Sequence, residues 1–244
     1  MKMDEHLTGL VTKLKQAAGP NLLSIILYGS AATEDFHPKH SDLNVLCILG
    51  ELGKEQLDVL HSASAWWSKK GHPSPLFFTL KELHHAADVF AIELLDIKAA
   101  RRILYGVDVI EPLAIPMDLH RAHVERELRT NVIRLRQHYV MYPNDSSKTL
   151  RLMVDSISTF VALFRHALMA LGEKAPPTKR IAVDLASSAL GFDSAPFHTV
   201  LDIREGRKRA RELDVQATFG KYLEGVVKAT EEVDRRLAFP PANV

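Results

Sequence analysis

The sequence predicts an α+β protein in two parts, a mixed-sheet domain over residues 1–114 followed by an all-α helical bundle over residues 115–244. Three observations predict it. Up to residue 115, short β-like apolar runs alternate with helix-like runs. Beyond it nearly every stretch carries the helical period. Between them, Pro112 and Pro116 flank a short apolar piece, the kind of punctuation that separates domains. A length of 244 residues fits one large or two small domains at about 150 residues each.

The elements follow in order. Residues 4–18 are amphipathic and end at Gly19-Pro20, a helix stop signal. Residues 22–28 are a continuous apolar run, read as a buried strand, and residues 43–49 are a second. Residues 54–69 read as a helix, 75–79 as a short strand, and 79–87 as a short helix. Residues 90–97 are apolar and short enough to read as a third main strand. The second part reads as five helices, over 117–139, 147–171, 178–190, 196–212 and 215–238. Pro143-Asn144-Asp145, Gly172 with Pro176-Pro177, and Gly191-Phe192-Asp193 supply the turns between them. Five helices with short links suggest a bundle.

Composition removes several function classes. Hydrophobic residues are 46% and charged residues 25%, ordinary for a globular chain. A net charge of +1 draws the whole protein to neither nucleic acid nor lipid. It splits, however: residues 1–115 hold 11 Lys and Arg against 14 Asp and Glu, and the remainder 20 against 16. One cysteine, Cys47, permits no internal disulfide and fits a reducing, cytoplasmic location. No uninterrupted apolar run approaches the roughly 20 residues of a membrane span, and the N-terminus lacks the apolar segment of a signal peptide. The expectation is a cytoplasmic protein with no membrane partner.

The chemistry concentrates in Leu27-Tyr28-Gly29-Ser30 and, about a dozen residues later, Ser41-Asp42-Leu43-Asn44. A buried strand ends in Gly-Ser. Glycine lets backbone approach a phosphate closely, and serine adds a hydroxyl donor. A polar pair then opens the next strand. Residues i and i+2 of a strand share a face, so Asp42 and Asn44 are expected to project together beyond the turn. On the third predicted strand Glu93 is a carboxylate in an apolar setting, costly to bury unless a cation compensates it. Asp96, three residues on, faces the other way on a regular strand. Asp42, Asn44 and Glu93 are therefore candidates to hold Mg²⁺, which takes carboxylates, waters and substrate phosphates.

This pattern resembles the nucleotidyltransferase fold of the polymerase β superfamily: a strand, a Gly-Ser turn, Asp-x-Asp on the next strand and a third carboxylate on a later one. The matching positions are Gly29-Ser30, Asp42-x-Asn44 and Glu93, and Arg102-Ile103-Leu104-Tyr105-Gly106 looks like the segment that follows. In the second part, Leu163 to Leu168, then Leu171-Gly172-Glu173 and Thr178-Lys179-Arg180, resemble the helical domain of aminoglycoside nucleotidyltransferases, with Lys179 as the lysine opening a helix after the Gly-Glu turn. The resemblance implies Mg²⁺-dependent transfer of a nucleoside monophosphate from an NTP to a hydroxyl acceptor, with pyrophosphate leaving. It implies Gly29, Ser30, Ser41 and Lys179 as nucleotide-binding residues, Asp42, Asn44 and Glu93 as metal-binding and catalytic residues, and Glu93 as acceptor of the hydroxyl proton.

The chain departs from the pattern in one place that matters. Asn44 stands where the family has a second aspartate, so the site carries two negative charges, not three. The alternative is a catalytically impaired module that binds a nucleotide or another protein without turnover. A nucleic-acid role for the helical part rests on Arg134 and His138 and on the cluster Arg204, Arg207, Lys208, Arg209 and Arg211, and is not favoured. Leu152, Ile157 and Val161 fit either internal packing or a homodimer contact. His84-His85 and His120-x-x-His123 lack the third ligand of a zinc site and read as exposed or helix-face histidines. Of Trp66 and Trp67, one is expected in the core and one partly exposed. Cys47 reads as a small buried hydrophobe.

Overall fold

The central strand explains the first unit. Residues of β1 (Leu22–Tyr28) are apolar at nearly every position because both faces of the strand are covered. It pairs antiparallel with β2 (Asn44–Leu49) on one side and with β4 (Arg101–Gly106) on the other, and β3 (Leu76–Thr79) runs parallel to β2, giving the order β3-β2-β1-β4. Ile25 and Leu27 of β1, with Val45, Cys47 and Leu49 of β2, bury against α1 (Lys2–Ala18) and α2 (Lys54–Lys69) through Leu10, Leu14, Leu60 and Trp67. Ile26, Leu46 and Ile48 point to the other face. They pack with Leu83 of α3 (Leu80–His85) and with Leu94 and Ile97 of α4 (Ala91–Ala99). The structure is a computed structural model and describes residues 2–33 and 42–237. The chain divides into two units, Met1–Met117 and Asp118–Val244.

One predicted strand is a helix. Residues 90–97 lie in and before α4, where Ala91, Leu94 and Ile97 are buried at three-residue spacing. A short apolar run does not separate strand from buried helix by pattern, and Leu, Glu and Ala in it are good helix formers. The strand that pairs with β1 is instead Arg101–Gly106. The mixed sheet survives the exchange.

The second unit comprises α5 (His120–Val140), α6 (Ser146–Ala170), α7 (Lys179–Leu190), α8 (Ala195–Arg204) and α9 (Val215–Leu237). By length and composition alone α6 could cross a bilayer, yet half of its most apolar window is buried within the protein. It is the core helix, touching α5, α7, α8 and α9. Ile157 and Val161 are buried there, so these two face the chain's own core and not a twin. Asp145 and Thr178 cap α6 and α7, accepting from the N–H groups of Lys148 and Ile181. The helix expected over 196–212 stops at Arg204, because Gly206 takes φ +73° and the N–H groups of Arg207 and Lys208 turn back to the Asp202 carbonyl. His120 corrects a second expectation. It is buried, not exposed, and its Nε2 lies 3.0 Å from Nδ1 of His166, also buried. Trp67 is buried and Trp66 partly so, and Cys47 is fully buried, where burial pushes its thiol pKa up.

Candidate active site

The end of β1 builds the site. Tyr28, its last residue, pairs with Asn44 on one side and Arg101 on the other. The chain then turns through a short 3₁₀ segment, Gly29–Ala32. Gly29 has φ +78°, a left-handed conformation that glycine adopts without cost. Its N–H donates to the Ala100 carbonyl at 2.9 Å, which ties the turn to the link between α4 and β4. The Ser30 carbonyl accepts from the N–H and the hydroxyl of Thr33. The first open corner of the sheet is thus a glycine turn with its carbonyl end already satisfied.

Asn44 is half-buried at the first position of β2, and its Nδ2 stands 3.5 Å from where a Cβ on residue 29 would be. The strand's alternation puts it on the side of Leu46 and Ile48, the side that carries α4. Glu93 sits in the first turn of α4 and is exposed. It therefore needs no cation to compensate burial, which removes the cost argument made from the strand assignment. It still reaches the turn electrostatically. The Tyr28 hydroxyl is held above its ordinary pKa, first by burial and then by the charge of Glu93.

Asp42 is exposed and precedes the strand by two residues, so alternation within β2 does not extend to it. Its charge acts on His72. The His72 ring packs 4.2 Å from that of Trp67, and its Nε2 lies 2.9 Å from Nδ1 of His6. Burial and the neighbouring His6 lower the His72 pKa, and Asp42 opposes them. Ser41 lies outside the described residues. Lys179 is half-buried at the first position of α7, in the helical unit. Among the site residues, then, the structure brings Gly29 beside Asn44 and Glu93 within electrostatic reach of Tyr28.

Tyr28, His72 and Arg101 are neighbours that sequence reasoning missed. Tyr28 had a usable signal, since it immediately precedes Gly29-Ser30. His72 had none: His6 and Asp42, which act on it, are distant in sequence. Arg101 donates to Asp108 at 2.8 and 3.0 Å and also pairs with Glu111. Burial pushes the Asp108 carboxyl up, but Arg101 and the N–H groups of Glu111 and Ile110 more than offset this and hold it below its ordinary range. Arg101 is therefore spent on bracing the start of β4.

The metal that the resemblance implies would need donors that the site supplies only in part. Among the described residues no three His, Cys, Asp or Glu side chains gather to hold an ion. Asn44 adds one neutral carbonyl oxygen. This set does not fit a resident two-metal centre. It is compatible with an ion that arrives already bound to a triphosphate, because Mg²⁺ keeps several waters and uses only one or two protein carboxylates.

No protein-family model matches the chain, and no curated protein matches it in sequence. Solved structures do match in shape. One is the crystal structure of spectinomycin adenyltransferase AAD(9) from Enterococcus faecialis with ATP and spectinomycin, with a TM-score of 0.59 and 16% identity. The similarity covers 94% of this chain and 98% of that one. The chain shares the α+β fold of that structure, a mixed-sheet unit followed by a helical one.

Proposed function

We propose that this chain is a nucleotidyltransferase, moving a nucleoside monophosphate from an NTP to a hydroxyl of a small-molecule acceptor. One observation carries the reading: the fold likeness spans nearly the whole of both chains, and the matched protein was solved with ATP and spectinomycin. In this reaction the acceptor oxygen bonds to the α-phosphorus and the bond to pyrophosphate breaks. Little covalent chemistry falls to the protein, so positioning and electrostatics dominate. Gly29 and Ser30 would receive the triphosphate at the end of β1, with Ser41 and Lys179 as further contacts. Asp42 and Asn44 would meet the Mg²⁺ that the nucleotide brings. Glu93, exposed in the first turn of α4, would take the hydroxyl proton.

A second reading is favoured by Asn44: the chain binds a nucleotide without turning it over. Calorimetry with ATP, GTP, CTP and UTP, with and without Mg²⁺, tests what both readings share. Binding that requires Mg²⁺ and is lost in Asp42→Ala supports the site. Binding unaffected by Asp42→Ala overturns it. Pyrophosphate release on mixing with candidate hydroxyl acceptors then separates transferase from binder.

A further inference from the structure

The helical unit contains a cleft formed by its own residues alone. It lies where the C-terminal half of α5 meets the N-terminal half of α6 and has a volume of about 390 Å³, within the range of small-molecule sites. Lys179 follows the far end of α6. Thr149, in the cleft, and Ala170, at that far end, are separated by roughly 30 Å at 1.5 Å per residue. A ligand here does not meet Lys179.

Three features of the cleft point to a ligand. Its inner wall is apolar and aromatic, formed by Leu135, Leu152, Phe160 and the Tyr139 ring. Tyr139 is fixed by stacking on Phe219 at 4.2 Å and by its hydroxyl donating to Gln216, so the wall is rigid. Its rim is cationic: Arg134, Lys148 and Arg151 stand against the single carboxylate of Asp155. Arg151 is 3.5 Å from Asp155, and Lys148 is 3.5 Å from Asp145 and lies over the Tyr142 ring, whereas Arg134 has no ion pair among the described residues. Third, Thr149 lines the cleft, is 2% exposed, and its Oγ1 has no hydrogen-bond partner. Buried polar atoms are nearly always paired. A buried hydroxyl without a partner among the described residues, on a residue that lines a cleft, is a feature that a bound polar group would satisfy.

The geometry points to a binding site for a small aromatic carboxylate. The ring system would enter between Leu135, Leu152 and Phe160, a polar atom of the ligand would meet Thr149 Oγ1, and the carboxylate would meet Arg134 at the rim. Cationic compounds are disfavoured by the same rim, so the site selects against polyamine-like acceptors.

The experiment uses the full chain and 2-naphthoate as the probe, with 2-naphthamide as its neutral analogue, in calorimetric titrations. The expected result is one site per chain, at least 10-fold tighter for the carboxylate than for the amide. Arg134→Glu should remove the preference for the carboxylate. Thr149→Val, nearly isosteric, should weaken binding several-fold. Leu152→Trp, which fills the cleft, should abolish it, with far-UV circular dichroism confirming that each variant is folded. Absence of binding, equal affinity for acid and amide, or binding indifferent to both Arg134→Glu and Thr149→Val would overturn the assignment. If Leu152→Trp fails to fold, the Arg134 and Thr149 variants decide the matter alone.

Discussion

Replacing Gly29 by alanine tests the site's backbone directly. At φ +78° a Cβ is strained whatever the surrounding space, and the left-handed conformation costs a non-glycine residue about 1–2 kcal/mol. Space itself adds nothing, because the new Cβ would meet only Asn44 Nδ2, at an ordinary 3.5 Å. The expected loss for Gly29→Ala is therefore about 1–2 kcal/mol. Gly106→Ala is the comparison. It has a similar φ, +76°, but its Cβ would sit 1.9 Å from the Leu23 carbonyl oxygen, which forces β4 away from β1. Its loss should exceed that of Gly29→Ala by several fold. The assay is urea unfolding followed by tryptophan fluorescence. Trp66 and Trp67 are the chain's two tryptophans and both belong to the first unit, so the signal reports that unit. Nucleotide titration of the folded Gly29→Ala protein should show weakened binding, since strain relief redirects the turn's N–H groups. Equal midpoints for wild type and Gly29→Ala, or equal losses for the two variants, would refute the argument from φ and contact distance.

Other outcomes follow from single features of the structure. His72 has a pKa lowered below its ordinary 6.5, chiefly by burial, so the folded state binds fewer protons than the unfolded one. Stability of the first unit should accordingly be full above pH 6.5 and fall as pH drops toward the lowered value, and His72→Gln should flatten that dependence in tryptophan-detected unfolding. Asp42→Asn should lower the His72 pKa further, as followed by imidazole proton resonances, because Asp42 is the group that opposes the depression. Arg180→Ala should destabilise the helical unit by about 1–2 kcal/mol, since the partly exposed guanidinium joins Asp202 at 2.7 Å and Glu205 at 2.6 Å and so links α7 to α8; circular dichroism melts measure it. Thr149→Val should stabilise the ligand-free helical unit by about 1 kcal/mol, the order of the cost of an unpaired buried hydroxyl.

What was legible in the sequence had a local cause. β1 and α2 stand at the bounds their patterns predicted, one because a strand covered on both faces is apolar throughout, the other because Gly53 and Lys70 bracket an amphipathic run. The glycine turn was legible because only φ > 0 demands that residue there. Residues 90–97 misled because burial of one helix face and burial of a short strand leave the same composition. That error carried into the site: it made Glu93 a buried carboxylate requiring a cation, whereas the first turn of α4 leaves it in water beside Tyr28. The partners of His72 and the His120–His166 contact had no sequence signal, because each joins residues brought together only by packing.

If the turn holds a triphosphate as proposed, Asn44 sets how strongly the site repels it. A carboxylate in its place would add a negative charge next to the turn that is proposed to hold a triphosphate. At about 4 Å and an effective dielectric near 20, each such charge pair is worth roughly 4 kcal/mol before screening. A site with three carboxylates must therefore have its anions bridged by cations before a triphosphate can enter, and metal dependence is absolute. A site with an amide at this position repels the triphosphate less and also grips a cation less. Asn44→Asp should consequently push two measurements in opposite directions: affinity for NTP without Mg²⁺ should fall, and the gain in affinity on adding Mg²⁺ should rise. If the chain is a binder whose turnover was lost with the second aspartate, pyrophosphate release should appear in Asn44→Asp and be absent from the wild type. If the wild type already releases pyrophosphate, one carboxylate beside the asparagine is enough, and the ion that comes with the nucleotide suffices for the transfer. Should both affinities move together, Asn44 does not face the nucleotide, and the corner formed by Tyr28, Gly29 and Asn44 is not where the triphosphate lies.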